Sequence, residues 1–184
     1  MADTQRTYAQ VLGLLADNLA GDISAQDIRD AFVSWRMPMG QIWLPDGSGV
    51  AIACTTNTEW YEVNGSAWTS SSFGEGFDES AGEGRLTYVG TVPIMVHAAF
   101  SVSFTSSDTN AVVKWRLGVD GTTQPAGEAQ RLISSGATDV GSTALHLVTM
   151  MDPGQYLSAF AQCENNSKTV TPVVANVQAV GMVM

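Results

Sequence analysis

The chain has 184 residues, 45 % of them hydrophobic and only 14 % charged, with 18 glycines and a formal net charge of −10. One domain of ordinary size with a small appendage fits that length, and the apolar fraction is enough for a real core. The few Lys and Arg are spread singly along an acidic chain, which argues against binding nucleic acid or an anionic membrane.

No stretch reaches the ~18 apolar residues that a membrane span needs. The opening residues lack a basic n-region, and Asp17 breaks their apolar run. No signal peptide is therefore expected, and the chain reads as made in a cytoplasm. Cys54 and Cys163 read as two buried thiols under reducing conditions, and their spacing leaves a disulfide between them open.

Helical signals are confined to the start. Tyr8, Val11, Leu12, Leu15 and Leu19 recur at three- and four-residue steps, one apolar stripe on a helix over roughly 4–20. Gly21 stands where a helix-ending glycine belongs. Ser24 and Asp27 have the spacing of a capping box, and Ile23 and Ile28 that of a hydrophobic staple. A second helix over 25–36 then buries Ile28, Phe32 and Trp35, and Pro38 stops it. The expectation is a helical hairpin over 1–38. Helices this short rarely hold without packing, so the stripe needs a surface to cover.

Strand signals take over at Gly40. Asp46-Gly47 and Asn64-Gly65 punctuate short apolar runs. The acidic, Gly-rich run "SSSFGEGFDESAGEG" reads as a long loop. Beyond it, Ile94, Val96, Ala98, Phe100, Val102 and Phe104 all point one way, with His97, Ser101 and Ser103 on the other side, a strict alternation. Ala111, Val113, Trp115, Leu117 and Val119 do the same, before a turn at Asp120-Gly121. Further strands are expected in "AQRLIS", "ALHLVTM", "QYLSAFAQC" and "PVVANVQAVGMV". Eight or more antiparallel strands at this spacing make a sandwich or jelly roll.

Several strands are apolar on both faces. Leu145 and Leu147 oppose Val148 and Met150. Leu157, Ala159 and Ala161 oppose Tyr156 and Phe160. Val173, Ala175 and Val177 oppose Val174, Val180 and Met182. A sandwich strand needs one apolar face, so a second implies another burial partner, most simply another copy of the chain.

The runs "TEWYEVNGSAW", "FDESAGEGRLTYVGTVPIMVHAAFSVSF", "VVKWRLGVDG", "STALHLVTMMDPGQYLSAFAQ" and "VVANVQAVGM" fall in an order that resembles one family. It is that of the trimeric jelly-roll heads in virion proteins of tailed phages and some large viruses. Those heads are similar to tumour-necrosis-factor-like and complement-type globular domains. Residues 85–90, 115–121 and 173–180 carry the match, while Asp152-Pro153-Gly154 replaces the family's Gly-Asp turn. The resemblance spans roughly 39–184. It implies a mainly β, antiparallel jelly-roll sandwich that is a homotrimer. The start of the chain, through "GDISAQDIRD", also resembles openings of small phage structural proteins.

Little in the chain suggests catalysis. His97 and His146 each sit on the non-core side of a strand, outside any nucleophile elbow, zinc pattern or triad order. Glu75, Asp78, Glu79 and Glu83 read as a solvated loop rather than a calcium loop or a glycosidase pair. Trp43, Trp60, Tyr61 and Trp68 read as core and subunit contact rather than a sugar platform. No enzyme activity, cofactor or metal is expected.

The expected function is structural: a trimeric capsid-decoration or head-fibre protein on a virion. Tyr8, Leu12, Leu15, Leu19, Ile28, Phe32 and Trp35 would attach it to the major capsid protein or another virion protein. Val148, Met150, Tyr156 and Phe160 would together form the trimer interface. The alternative is a tail-fibre tip that recognises a host-surface glycan or protein through its end loops.

Overall fold

The computed structural model describes residues 4–15, 23–65, 68–71, 74–135 and 138–184, apart from the side chains of residues 14, 15, 80 and 81. Helix α1 runs Tyr8–Leu15 and α2 runs Ala25–Ser34. The first helix starts later than expected because Thr7 and Gln10 cap it reciprocally. The Thr7 N–H donates to Gln10 Oε1 at 2.9 Å, and the Gln10 N–H donates to Thr7 Oγ1 at 3.3 Å. The Ser24–Asp27 capping box forms at the start of α2. Leu19 and Gly21 lie outside the described residues.

Twelve strands follow among the described residues: β1 (Met39–Leu44), β2 (Ile52–Cys54), β3 (Tyr61–Glu62), β4 (Thr69–Ser70), β5 (Phe77–Ser80), β6 (Arg85–Tyr88), β7 (Ile94–Ser106), β8 (Ala111–Val119), β9 (Thr122–Ile133), β10 (Gly141–Met151), β11 (Tyr156–Cys163) and β12 (Lys168–Val183). They form two antiparallel sheets. Sheet A has the order β10-β7-β12-β1-β4, with β2 also paired to β12; sheet B has β5-β6-β11-β8-β9, with β3 on β11. From β6 onward the described strands pass from sheet to sheet, the only exception among them being the β8–β9 hairpin. That hairpin closes on Asp120 and Gly121, both at positive φ, the two-residue turn that matches strand twist. The protein is a jelly-roll sandwich of two antiparallel sheets preceded by short helices.

The alternation in β7 and β8 becomes the core. Ile94, Val96, Ala98, Phe100, Val102 and Phe104 face inward from sheet A; Val113, Trp115 and Leu117 meet them from sheet B. The Trp115 ring lies 5.7 Å from Phe100 and 5.0 Å from Phe104. The acidic run is not one long loop. Phe77 is buried beside Tyr88, ring centroids 5.7 Å apart, and that anchor makes residues 77–80 a strand paired to β6.

The helices are tied to the sandwich where β12 ends. The Tyr8 N–H donates to the Met184 carbonyl at 3.1 Å, and the Thr91 N–H donates to Gln5 Oε1 at 3.0 Å.

Candidate interaction surfaces

Two surfaces stand out, one on the helices and one on sheet A. On α2 the expected burial is reversed. Ile28, Phe32 and Trp35 are 41, 65 and 59 % exposed, while Asp30, Ala31 and Ser34 are buried. The reason is a polar clamp. The Asp30 carboxylate accepts the Thr4 N–H at 2.9 Å, Arg6 Nε at 3.0 Å and Gln26 Nε2 at 2.7 Å. The Arg6 N–H donates to Ser34 Oγ at 2.8 Å, and that hydroxyl donates to the Asp30 carbonyl at 2.6 Å. Residues 4–6 therefore lie along the polar side of α2 and leave its apolar side outward. These bonds, the Thr4 N–H first, hold the Asp30 carboxyl below its ordinary value.

At i, i+4 and i+7, Ile28, Phe32 and Trp35 share one helix face. Phe32 and Trp35 meet edge to face at 6.3 Å. On α1, Tyr8 and Leu12 are exposed and Val11 is buried. The Leu15 side chain and all of Leu19 fall outside the described residues.

The outer face of sheet A is the second surface. Its rows follow from register. Met95 of β7 stands between Met150 of β10 and Met182 of β12; His97 stands between Val148 and Val180; Ala99 stands between His146 and Gln178. Val148 is 62 % exposed and Met150 44 %, and Val180 and Met182 are also exposed. The histidines do lie on the outward side. Their rings are parallel within 5°, with His146 Nδ1 3.2 Å from His97 Nε2.

Sheet B also carries apolar residues outward; Leu132 on its edge strand is exposed, but the chain covers those near β11 itself. Tyr156 lies under the Arg85 guanidinium, 4.2 Å from its ring centre, and Arg85 pairs with Glu62 at 2.9 Å. Arg116 lies 4.3 Å over the Trp60 ring and donates to Glu128 at 2.8 Å. Phe160 is buried over Gly118, where a Cβ would stand 2.5 Å from its ring. Burial, then Glu62, pushes the Tyr156 phenol above its ordinary value. The expected single face of Val148, Met150, Tyr156 and Phe160 is therefore corrected. The first two lie outside sheet A, the last two outside sheet B, and Phe160 is packed within its own chain.

The remaining candidates disperse. Glu79 accepts the Gln41 N–H at 2.9 Å and the Ser71 hydroxyl at 2.6 Å, Glu75 pairs with Arg36, and Glu83 with Arg85. The acids are thus separate supports rather than one solvated cluster. Trp68 is core, Trp60 lies against Arg116 and Trp43 stands on β1, so the aromatics make no common platform. Cys54 and Cys163 are free, buried and in mutual contact, and that contact together with burial pushes the Cys163 thiol up. Among the described residues, no three His, Cys, Asp or Glu side chains gather as metal ligands would.

The comparisons with known proteins concern the fold. Eiger TNF from S. frugiperda is similar, with a TM-score of 0.51 at 7 % identity over 79 % of this chain and 92 % of that one. The globular domain of zebrafish complement 1qA protein gives 0.49 at 8 % identity over 81 % and 98 %. Murine APRIL at pH 5.0 gives 0.47 at 10 % identity over 78 % and 99 %. No protein-family model matches the chain, and no curated protein matches it in sequence. The chain therefore has a jelly roll of tumour-necrosis-factor type.

Proposed function

We propose that this chain is a surface subunit of a virus particle, of the capsid-decoration or head-fibre type. Its jelly-roll head is a homotrimer, and its N-terminal helices dock on the major capsid protein or another virion protein. The virion setting rests on the sequence resemblance of residues 85–90, 115–121 and 173–180. The observation that carries the docking role is the outward face of Ile28, Phe32 and Trp35 on α2. Fully covering such side chains is worth roughly 1.5–3 kcal/mol each before the costs of association. The Asp30 clamp supports the same role, since it satisfies the helix on its polar side and leaves the apolar side for a partner.

The trimer is supported by the part of sheet A's outer face where Val148, Met150, Val180 and Met182 stand open with no carboxylate among them, in a chain of net charge −10. Two copies meet there without bringing like charges together.

The test uses the full chain with Phe32→Asp and Trp35→Asp. The variant is expected to stay trimeric and to be absent from purified particles of the parent virus. Full decoration by the variant contradicts the docking role. Clear hits for the wild-type chain on a glycan array, with no particle-shell binding, would replace this reading by that of a tail-fibre tip.

A further inference from the structure

His97 and His146 are the only two histidines of the chain, and the fold brings them together on an exposed face. His146 stands opposite Ala99, one step diagonally from His97, so adjacent strands present both rings outward at once. His146 Nδ1 and His97 Nε2 lie 3.2 Å apart, with the rings parallel within 5°. Two neutral imidazoles at that distance share one proton, and each keeps a second ring nitrogen that also takes a proton.

The separation of these nitrogens is also the bite of a tetrahedral metal ion. Zinc–imidazole bonds are about 2.0–2.1 Å long. Two nitrogens 3.2 Å apart therefore subtend about 105° at an ion bonded to both, against about 109° in a regular tetrahedron. The two nitrogens keep their distance when the ion enters. Each ring turns about χ2, a broad torsion, until both lone pairs aim at one point beside the line that joins them. The imidazole that donated its proton carries it on its other nitrogen instead, so the neutral pair takes the ion with no net gain or loss of protons.

The setting favours a cation of this kind. The flanking outward residues Met95, Ala99, Val148, Gln178 and Val180 carry no charge, so none of them repels the ion or competes for it as a carboxylate would. The chain as a whole, at net charge −10, attracts cations. Strand β7 is held between β10 and β12, which fixes both donors on ladder positions rather than on loops. Mg2+ and Ca2+ require oxygen donors, and the pair offers them none.

We propose that His97 and His146 together form a binding site for a divalent ion of the zinc type, with water in the two remaining positions. The site rests on the pair alone, and failure of the self-association proposed above leaves it standing. Where copies associate through the outer face of sheet A, the ion lies at their contact, and its two open positions point towards the covering copy.

The experiment is calorimetric titration of the full chain with ZnCl2 at pH 7.5, beside the single variants His97→Gln and His146→Gln and the double variant. The expected result is one Zn2+ per wild-type chain, a loss of roughly a hundredfold in affinity in either single variant because the second donor is gone, and no such site in the double variant. Circular dichroism checks that each chain stays folded. CoCl2 is the spectroscopic probe of the same site, and the intense visible bands of tetrahedral Co2+ are expected in the wild type alone. Absence of Zn2+ binding by the wild type overturns the proposal. Equal binding by the double variant, or displacement of Zn2+ by an equal concentration of Mg2+, assigns the ion to carboxylates elsewhere and overturns it too. Single variants that bind as tightly as the wild type contradict the joint grip of the two rings.

Discussion

Sheets A and B each turn one face away from the core, and in sequence both faces carry large apolar residues. On the β11 side of sheet B those residues are closed by partners from the same chain, Arg85 over Tyr156 and Phe160 on Gly118, with Arg116 over Trp60 beside them; Leu132 on the edge strand β9 stays exposed. On sheet A, Val148, Met150, Val180 and Met182 meet nothing of the kind among the described residues and stand open. A second apolar face on a strand thus has two physical meanings. One is a sheet finished by cations and aromatics from elsewhere in the chain; the other is a sheet that awaits another molecule.

Variants that treat the two faces alike break or sharpen this contrast. The Val148→Asp background supplies a monomer in which stability is read without association. In it, Phe160→Asp is expected to cost about 3–5 kcal/mol in urea unfolding, since it removes a buried ring and leaves a carboxylate in its place. Arg116→Ala should cost about 1 kcal/mol by the same measurement, because its cation–π contact and its pairing with Glu128 are partly solvated. In that background Val180→Asp, the corresponding charge on sheet A, should move the unfolding midpoint by less than about 0.5 kcal/mol. A large loss from Val180→Asp, or none from Phe160→Asp, reverses the roles assigned to the two faces.

Acid gives a further control, read on the helices. The Asp30 carboxyl lies below its ordinary value of 3.8, so its contribution is fully present above that value and is lost as pH falls through the lower one. Amide exchange in α2 should therefore be unchanged between pH 8 and 5, once corrected for intrinsic rates, and quicken only in stronger acid. Loss of α2 protection at pH 5 would separate the clamp from Asp30.

Much of this architecture was legible in the chain. Strict alternation marked β7 and β8, and Asp120-Gly121 marked the hairpin after β8. Other parts were not, for reasons of distance and of edge position. The first half of β9, with Pro125 and Gly127, lies outside the expected strand "AQRLIS"; β9 is the edge of sheet B, where a proline costs no internal ladder bond. Strand β5 reads as loop until Phe77 finds Tyr88. The apolar stripe of α2 was visible, but its direction was not. Which side faces in is decided by residues 4–6, folded back onto Asp30 from 24 or more positions away. Likewise the pattern of β11 showed two apolar faces, but only Arg85 over Tyr156 and the close approach of Phe160 to Gly118 show that one is already filled.

The central claim is that the outer face of sheet A joins copies of this chain. Light scattering on the full-length protein after size exclusion at pH 8 tests it most directly, with Val148→Asp and Met182→Asp introduced together as the probe. The account predicts the mass of a trimer for the wild type and of a folded monomer for the double variant. A monomeric wild type, or a double variant that remains trimeric, contradicts it.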